Sequence, residues 1–282
     1  MGGASYSASF YAGLRKGAGQ SAEIIVPLVL ELVRIRSVLD LGCGDGTWLA
    51  VFRKHGVEDV LGLDGEYVDR SILQIPVERF QAFDLTTPFH PMRPFDLAVS
   101  LEVAEHLPAE FARIFVESLA RSAPLILFSA AIPFQGGANH VNEQWPEKWA
   151  ELFKEHDFAP IDFIRKQVWR NELVEWWYAQ NTLLFAHKNL IETSPRLRAE
   201  FEGTNPAELR LVHPRQFLDL RNRYLEAVMR AEYPPPPSGL REASKLLLTC
   251  LRNSLKARLD SIRGKRSPAT KDTGVVAAGS KD

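Results

Sequence analysis

The sequence predicts an α/β protein with a doubly wound, mostly parallel seven-stranded sheet, an antiparallel edge strand and a C-terminal helical extension. Short apolar runs alternate with amphipathic helical segments between residues 38 and 132. The first of these runs opens into a glycine-rich turn at residues 42–46. Beyond Lys188 the composition changes to polar and helical segments, which indicates that the sheet domain ends there.

The first strand and its loop have the sequence VLDLGCGDGTWL, from Val38 to Leu49. Asp40 ends the apolar run and places the loop at the carboxyl edge of the sheet, where open α/β folds bind their ligands. The loop contains three alternating glycines, Gly42, Gly44 and Gly46. Without Cβ atoms these positions can adopt positive φ and let a ligand approach the backbone.

The glycine spacing excludes two common nucleotide sites. A dinucleotide fingerprint requires G-x-G-x-x-G, but Thr47 stands where the third glycine is needed. The Gly-Lys-Ser/Thr ending of a triphosphate-binding loop is also missing. A nucleotide-sugar dehydrogenase or epimerase is disfavoured by this spacing and by the lack of a Tyr-x-x-x-Lys pair in the expected region.

Four further strands follow in order. Asp59–Asp64 ends in an acid about twenty residues after the glycines, as expected for a ribose-binding carboxylate. Phe80–Phe83 precedes Asp84-Leu85, and Phe95–Pro108 reads as a buried strand that opens into a loop. Pro124–Ile132 is the fifth strand. A helix is predicted before it from four apolar residues on one face, at Phe111, Ile114, Phe115 and Leu119.

These pieces resemble the class I S-adenosylmethionine-dependent methyltransferases, beginning with D-x-G-x-G-x-G at motif I and continuing to motif IV at Phe95–Pro108. The resemblance implies S-adenosylmethionine as cofactor, with Asp64 on the ribose hydroxyls and Asp84 on the adenine amine. The other cofactor-binding residues that it implies are Asp40, Gly42, Cys43, Gly44, Gly46, Leu85, Leu101 and Glu102. Cys43 is best explained as a compact residue that fills the loop.

The loop after the fifth strand, within Phe134–Phe158, leaves the sheet where the donor methyl is expected. His140 is the candidate general base for a hydroxyl acceptor, because imidazole titrates near neutrality, and Glu143 accompanies it. Alternatively, His140 caps the following helix or bonds to Glu143 and only organises the loop. Four polar residues could orient a polyhydroxylated acceptor, namely Asn139, Asn142, Glu143 and Gln144. This block resembles methyltransferases that tailor sugars, glycans or natural products.

Glu102, Glu105 and His106 form an E-x-x-E-H cluster at the end of the fourth strand. Such ligands could hold a divalent cation, and ubiquinone-pathway O-methyltransferases carry a similar triplet used for metal. The same triplet also occurs in methyltransferases not known to need a metal. The favoured interpretation is structural, so no metal is predicted.

Asp162–Lys188 begins and ends like strands and is predicted to supply the antiparallel pair that closes the sheet. Trp176, Trp177 and Tyr178 lie between the two ends and either line an acceptor pocket or belong to the core. Asn181 falls in the second predicted strand, where a buried amide requires hydrogen-bond partners.

The predicted domain boundaries follow the composition. Residues 1–20 form an N-terminal lid segment, in which Tyr6 and Tyr11 either cover the cofactor or pack on the surface. Residues 21–188 form the S-adenosylmethionine-binding domain, whose first helix is capped by Ser21 and complicated by Pro27. The remaining segments are a helical extension at 189–233, a proline spacer with a basic amphipathic helix at 234–263, and a disordered tail at 264–282.

The charge balance and the cysteine content limit the cellular location and the binding partners that we expect for the protein. The 34 basic and 35 acidic residues give no field that would recruit nucleic acid, and the two cysteines give neither a disulfide framework nor a zinc site. We expect a cytoplasmic protein without an integral membrane segment. The basic C-terminal helix is expected to dock on the domain, with pairing into a homo-oligomer or contact with anionic lipid as alternatives.

The predicted function is methyl transfer from S-adenosylmethionine to a small-molecule acceptor, through a hydroxyl of a sugar, glycan or natural-product intermediate. Nucleic acid is disfavoured as a substrate, because SLEVAEH stands where many base-modifying methyltransferases carry Asn/Asp-Pro-Pro-aromatic. The alternative is a catalytically silent S-adenosylmethionine-binding module that acts in a protein complex.

Overall fold

The computed structural model describes residues 8–232 and 239–264. Its centre is a seven-stranded sheet with the order β3-β2-β1-β4-β5-β7-β6. The strands are β1 (Ser37–Leu41), β2 (Asp59–Asp64), β3 (Phe80–Ala82), β4 (Leu97–Leu101), β5 (Leu125–Ser129), β6 (Phe158–Ile161) and β7 (Leu183–His187).

The strand directions confirm the predicted doubly wound sheet. The pairs among β1 to β5 are parallel, whereas β7 is antiparallel to both β5 and β6. The strand order reverses between β1 and β4, which is the switch point where open α/β sheets form a ligand crevice. Pairing of β2 with β3 sets Asp64 opposite Ala82, so Asp84 leaves the sheet on the same edge as Asp64.

Helices cover both faces of the sheet, and successive residues of each central strand point to opposite faces. Val38 and Leu97 belong to one buried apolar cluster, and Leu39 and Ala98 belong to the other. The helices are α1 (Ala8–Leu32), α2 (Thr47–Lys54), α3 (Ala112–Ser122), α4 (Pro146–Lys154), α5 (Ile164–Val168), α6 (Trp176–Asn181), α7 (Lys188–Thr193), α8 (Pro195–Glu202), α9 (Pro214–Glu232) and α10 (Leu240–Gly264).

The prediction for the start of Asp162–Lys188 is wrong. The strand lies just before it, as β6 ends at Ile161, and Ile164–Val168 is helical. Asp162 and Arg165 form an ion pair three residues apart, a spacing that brings side chains together on a helical turn. Asn181 is the last residue of α6 rather than a strand residue.

The predicted N-terminal helix is longer than expected. α1 begins at Ala8, crosses the predicted boundary between residues 20 and 21, and includes Pro27. Ser21 is therefore inside the helix and is not its cap. Its buried hydroxyl donates to the Gly17 carbonyl at 2.8 Å and accepts from the Glu175 amide at 3.0 Å, which ties α1 to the start of α6. Tyr6 and the side chain of Tyr11 lie outside the described part of the chain.

The chain divides into two compact units, Met1–Arg223 and Tyr224–Asp282. The two helices predicted in the C-terminal region are present as α9 and α10. The proline run at 234–237 and the predicted tail from residue 265 onward lie outside the described residues. Among the helices of the described ranges, none is both long and apolar enough to span a bilayer.

Candidate active site

The loop after β1 has the backbone that its glycines predict. Gly42, Gly44 and Gly46 all have positive φ, at 92°, 55° and 80°. A Cβ on Gly42 would lie 2.4 Å from the Val103 side chain, so this glycine also permits close packing against the loop after β4. A Cβ on Gly44 would meet nothing within 4 Å, because the backbone there borders open space. The loop thus leaves room for a ligand beside Gly44.

Asp64 links this loop to the end of β2. Its carboxylate accepts hydrogen bonds from the Gly44 amide at 2.7 Å, the Gly65 amide at 2.7 Å and the Tyr67 hydroxyl at 2.5 Å. The side chain is buried, with 5% of the residue exposed. Asp64 is therefore an enclosed carboxylate, surrounded by the glycine loop and by the residues that follow β2.

Asp40 and Cys43 are buried beside Asp64. Burial first, and then the nearby Asp64 charge, raises the pKa of the Asp40 carboxyl well above its usual value. Burial likewise raises the pKa of the Cys43 thiol, with the Asp40 and Asp64 charges adding to the effect. A Cβ on Gly62 would lie 2.6 Å from the Cys43 sulfur, so the thiol packs directly on β2. Cys43 thus has the compact packing position that we inferred for it.

Asp84 and Leu85 line a cavity of about 440 Å³ after β3. The other residues of this wall are Gly65, Glu66, Tyr67, Ala82, Phe83 and Leu107. The Thr86 hydroxyl and amide donate to the Asp84 carboxylate, and these bonds hold the pKa of that carboxyl below its usual value. The Asp84 carboxylate is therefore an ionised hydrogen-bond acceptor, and it lines the same cavity as the residues that directly follow Asp64.

A larger cavity, of about 610 Å³, begins at the glycine loop. Leu101 and Glu102 from the end of β4 line it, and so do all three aromatic residues predicted for an acceptor pocket or the core, Trp176, Trp177 and Tyr178. The remaining lining residues are Ala18, Gly42, Cys43, Gly44, Asp45, Thr47, Trp48, Glu105, His106, Gln135, Gly136, Gly137, Ala138, His140, Asp219 and Arg223.

Glu102 is held in this wall by side-chain amides. Its two carboxylate oxygens accept from Asn181 and Gln135, each at 3.0 Å, and Gln180 bonds to both of these amides. Burial raises the pKa of the Glu102 carboxyl despite these bonds. The network satisfies the Asn181 amide, whose need for partners is visible in the sequence.

His140 and Glu143 lie together in the loop after β5. His140 Nδ1 is 2.9 Å from Glu143 Oε1, and the Glu143 carboxylate also accepts from the amides of Phe134 and Gly136 at 2.8 and 2.7 Å. This is the contact expected if Glu143 organises the loop. His140 also lines the large cavity, as its catalytic assignment requires.

A second imidazole and a carboxylate lie next to His140. The His106 and His140 rings are 4.9 Å apart in an edge-to-face arrangement. One possible ligand atom from each of Glu105, His106 and His140 lies within 4.8 Å of the other two. Burial and the neighbouring Glu102 raise the pKa of the Glu105 carboxyl well above its usual value, whereas burial and His140 lower the pKa of His106.

Two of the polar loop residues considered for acceptor binding have internal partners instead. Asn142 is buried and accepts from Gln144 at 3.0 Å, while its own amide donates to the Ala104 carbonyl at 3.4 Å. These hydrogen bonds attach the loop to the turn that follows β4. α4 begins directly after the loop.

Sequence reasoning missed Gln135 and Arg223. Gln135 is buried and bonds to Glu102, although it looks like an ordinary polar loop residue in the sequence. Arg223 donates to the carbonyls of Phe134 and Gln135 at 3.0 and 3.2 Å and pairs with Asp219 at 2.9 Å. Arg223 follows these loop residues by almost ninety positions, so only the tertiary fold brings them together.

The site suits an adenosyl sulfonium. The glycine loop leaves its backbone open at Gly44, Asp64 and Asp84 occupy the same sheet edge, and the large cavity extends from Gly42 to His140. Asp64 offers carboxylate oxygens of the kind that pair with ribose hydroxyls.

Solved structures with similar folds include several methyltransferases. The sugar N-methyltransferase KedS8 from Streptoalloteichus is 16% identical, with a TM-score of 0.51 over 64% of this chain and 91% of that chain. The amino pentose methyltransferase CalS10 from Micromonospora echinaspora is 13% identical, with a TM-score of 0.49 over 67% and 100% of the two chains. A search of curated proteins gives no match.

A family model described as a methyltransferase domain matches residues 15–181. This region contains the glycine loop, both acids, the end of β4 and the loop that carries His140 and Glu143. Because the match spans more than half of the 282 residues, the chain belongs to the methyltransferase family, in its class I form with S-adenosylmethionine as the cofactor, as the residues of motif I predict.

Proposed function

We propose that the protein transfers a methyl group from S-adenosylmethionine to a hydroxyl of a sugar, glycan or natural-product intermediate. The observation that carries this proposal is the cavity of about 610 Å³, which joins the glycine loop to His140 and to an aromatic wall. Trp176 and Trp177 supply flat apolar surfaces of the kind that sugars and planar rings bind. The similarity to KedS8, which is named as a sugar N-methyltransferase, agrees with a sugar acceptor.

The proposed cofactor residues divide along the sheet edge. Asp64 binds the ribose and Asp84 with Leu85 holds the adenine, next to the cavity after β3. Gly42, Gly44 and Gly46 let the backbone approach the cofactor, with Asp40 and Cys43 packed behind them. Leu101 and Glu102 adjoin the methionine end.

Oxygen is the proposed acceptor atom because of His140. Glu143 fixes Nδ1 of this ring at 2.9 Å, which leaves Nε2 as the atom that acts on an acceptor hydroxyl. Bound S-adenosylmethionine would supply the methyl group, and His140 Nε2 would accept the proton that the acceptor hydroxyl loses. The cavity walls contribute by holding the nucleophile and the methyl group in line.

The direct test is methyl transfer from labelled S-adenosylmethionine to a panel of sugars, nucleotide sugars and phenols, with mass spectrometry to locate the new methyl group. Replacement of His140 by Ala should lower kcat about 100-fold or more while leaving S-adenosylmethionine affinity by calorimetry unchanged. His90→Ala, an exposed histidine outside this cavity, is the control.

Three outcomes would contradict the proposal. Cofactor binding without transfer to any acceptor would favour a silent binding module. A methyl group located on nitrogen would contradict the assignment of oxygen. Equal losses of turnover and of cofactor affinity in His140→Ala would give His140 a structural role.

A further inference from the structure

We propose that Glu105, His106 and His140 bind a divalent metal ion in the wall of the large cavity. Their ligand atoms lie within 4.8 Å of one another, one from each side chain, which is the spread that a single cation can span. All three residues line the cavity that begins at the glycine loop. This inference rests on the proposed function for its chemistry, but the site is defined by its own contacts.

Glu105 is the main reason to place a cation here. The residue is fully buried, and neither carboxylate oxygen has a hydrogen-bond partner among the described residues. A carboxyl group without partners is costly in the interior, and buried charged groups are normally paired or bound to metal. A cation between Glu105 and the two imidazoles supplies the missing partner.

The imidazoles are arranged as ligands. His106 Nδ1 is buried and has no hydrogen-bond partner among the described residues, so its lone pair is available. His140 Nδ1 lies 2.9 Å from Glu143 Oε1. When Nδ1 carries the proton and donates it to Glu143, Nε2 is left unprotonated as a metal ligand, as in many carboxylate–histidine–metal arrangements.

Glu102 is not part of this site, although it begins the E-x-x-E-H sequence. The cluster of ligand atoms within 4.8 Å of one another does not include Glu102, whose two oxygens accept amide hydrogens from Asn181 and Gln135 at 3.0 Å. The second histidine comes from the loop after β5 instead. The proposed ligands are therefore Glu105, His106 and His140, from two separate loops, and not the consecutive triplet of Glu102, Glu105 and His106.

The donor set indicates the class of cation. Two imidazole nitrogens and one carboxylate suit Mn²⁺, Fe²⁺, Co²⁺ or Zn²⁺ better than Mg²⁺ or Ca²⁺, which prefer oxygen ligands. Three protein ligands also leave positions open for an acceptor oxygen. The cation would lower the pKa of the acceptor hydroxyl, whose proton would leave to water. With the cation bound, His140 acts on the hydroxyl through the metal and not as a free base, and this revises its proposed role while the methyl transfer to oxygen is unchanged.

The test is a titration of chelator-treated protein with Mn²⁺, followed by the electron paramagnetic resonance signal of the free ion. The wild type should bind one Mn²⁺ per chain. Glu105→Gln and His106→Asn should each weaken binding about tenfold or more, since each removes a ligand. Glu110→Gln, at an exposed carboxylate outside the cavity, is the matched control and should change the affinity by no more than about threefold. His90→Asn is the histidine control.

Circular dichroism and S-adenosylmethionine binding establish that each variant is folded, and His106→Asn carries the test if the buried Glu105→Gln does not fold. No saturable binding in the wild type would overturn the proposal. Unchanged affinity in both Glu105→Gln and His106→Asn would also overturn it, and so would an equally large loss in Glu110→Gln.

The metal site and the methyl transfer can fail separately. Full methyl transfer in the presence of a chelator would remove the cation from the reaction and leave the proposed function intact. Stoichiometric Mn²⁺ binding by a protein that transfers no methyl group would leave the site and contradict the function.

Discussion

Glu102 combines an unfavourable backbone with an extensive set of contacts. Its φ of 55° lies in the left-handed region, where a residue other than glycine is strained by about 1–3 kcal/mol. Hydrogen bonds stabilise this strained conformation. The backbone amide of Glu102 donates to the Ser129 carbonyl and hydroxyl, and the side-chain amides of Gln135 and Asn181 donate to the Glu102 carboxylate. β4 consequently ends in a fixed turn that aims Glu102 into the cavity wall rather than along the strand.

Asp64→Ala should weaken S-adenosylmethionine binding by about tenfold or more, because a carboxylate that bonds to the ribose is lost. Unlike a surface substitution, it should also lower the free energy of unfolding by about 1–3 kcal/mol, since the Gly44 and Gly65 amides and the Tyr67 hydroxyl lose their acceptor. Calorimetry and urea unfolding measure the two effects. Unchanged cofactor affinity would refute the ribose assignment.

The two cysteines should differ in reactivity. Burial and the neighbouring carboxylates raise the pKa of the Cys43 thiol, which lowers the fraction of the thiolate that reacts with alkylating reagents. Cys250, in contrast, is exposed. Iodoacetamide at neutral pH should therefore modify Cys250 about ten times faster or more than Cys43 in the folded protein. Peptide mass spectrometry over a time course measures both rates, and similar rates would contradict the packing described for the glycine loop.

At the scale of elements, a buried amide network joins the end of β4, the loop after β5 and α6. Gln135 accepts from Gln180 at 3.2 Å and from Asn181 at 2.9 Å, and its own amide reaches Glu102. Gln180 extends the network by accepting from the His213 amide at 2.8 Å. Fully satisfied networks of this kind fix the relative positions of the elements that they join.

Asn181→Ala should destabilise the protein by about 1–3 kcal/mol, because Glu102 and Gln180 then each lose a buried partner. The same change should lower methyl transfer more than it lowers cofactor binding, if α6 positions the acceptor wall. Asn189→Ala, an exposed asparagine, provides the matched control and should have almost no effect. Chemical unfolding and steady-state kinetics measure the outcome, and equal effects of the two variants would contradict the role given to the network.

At the scale of the whole molecule, a buried arginine fastens the segment after α8 to the sheet domain. Arg165 pairs with Asp162 through two nitrogens, at 2.7 and 2.8 Å, and donates to the carbonyls of Glu208 and Leu209 at 3.0 and 2.8 Å. Its side chain is only 1% exposed. The segment that leads to α9, and so to Arg223 at the cavity, is attached through this residue.

Arg165→Met should lower the free energy of unfolding by about 3–5 kcal/mol, because it leaves the Asp162 charge buried without its partner. Lys166→Met is the matched control, since that neighbouring side chain is exposed and donates one bond to the Gly203 carbonyl. It should cost less than about 1 kcal/mol. Urea unfolding compares the two variants, and a loss in Arg165→Met no larger than that of the control would refute the role of this arginine.

Local patterns predicted most of the sheet domain, because hydrophobic periodicity, glycine positions and acids at strand ends each depend on residues that are close together in the sequence. The loop at Gly42–Gly46, β2 ending at Asp64 and the helix before β5, α3, are as predicted. The errors fall where distant contacts decide: Asn181 ends a helix, and Ile164–Val168 is helical where a strand was predicted.

The sequence by itself determined the strand–loop–helix unit of the cofactor site, because three alternating glycines directly after an apolar strand allow the positive φ that this loop adopts. Only the tertiary structure decided which side chains share the cavity wall. Whether Glu102 or Glu105 is free, and whether His140 meets His106, depends on loops from separate strands that converge at one edge of the sheet. Sequence spacing carries no information about that convergence, because burial and partners are set by what packs against each loop.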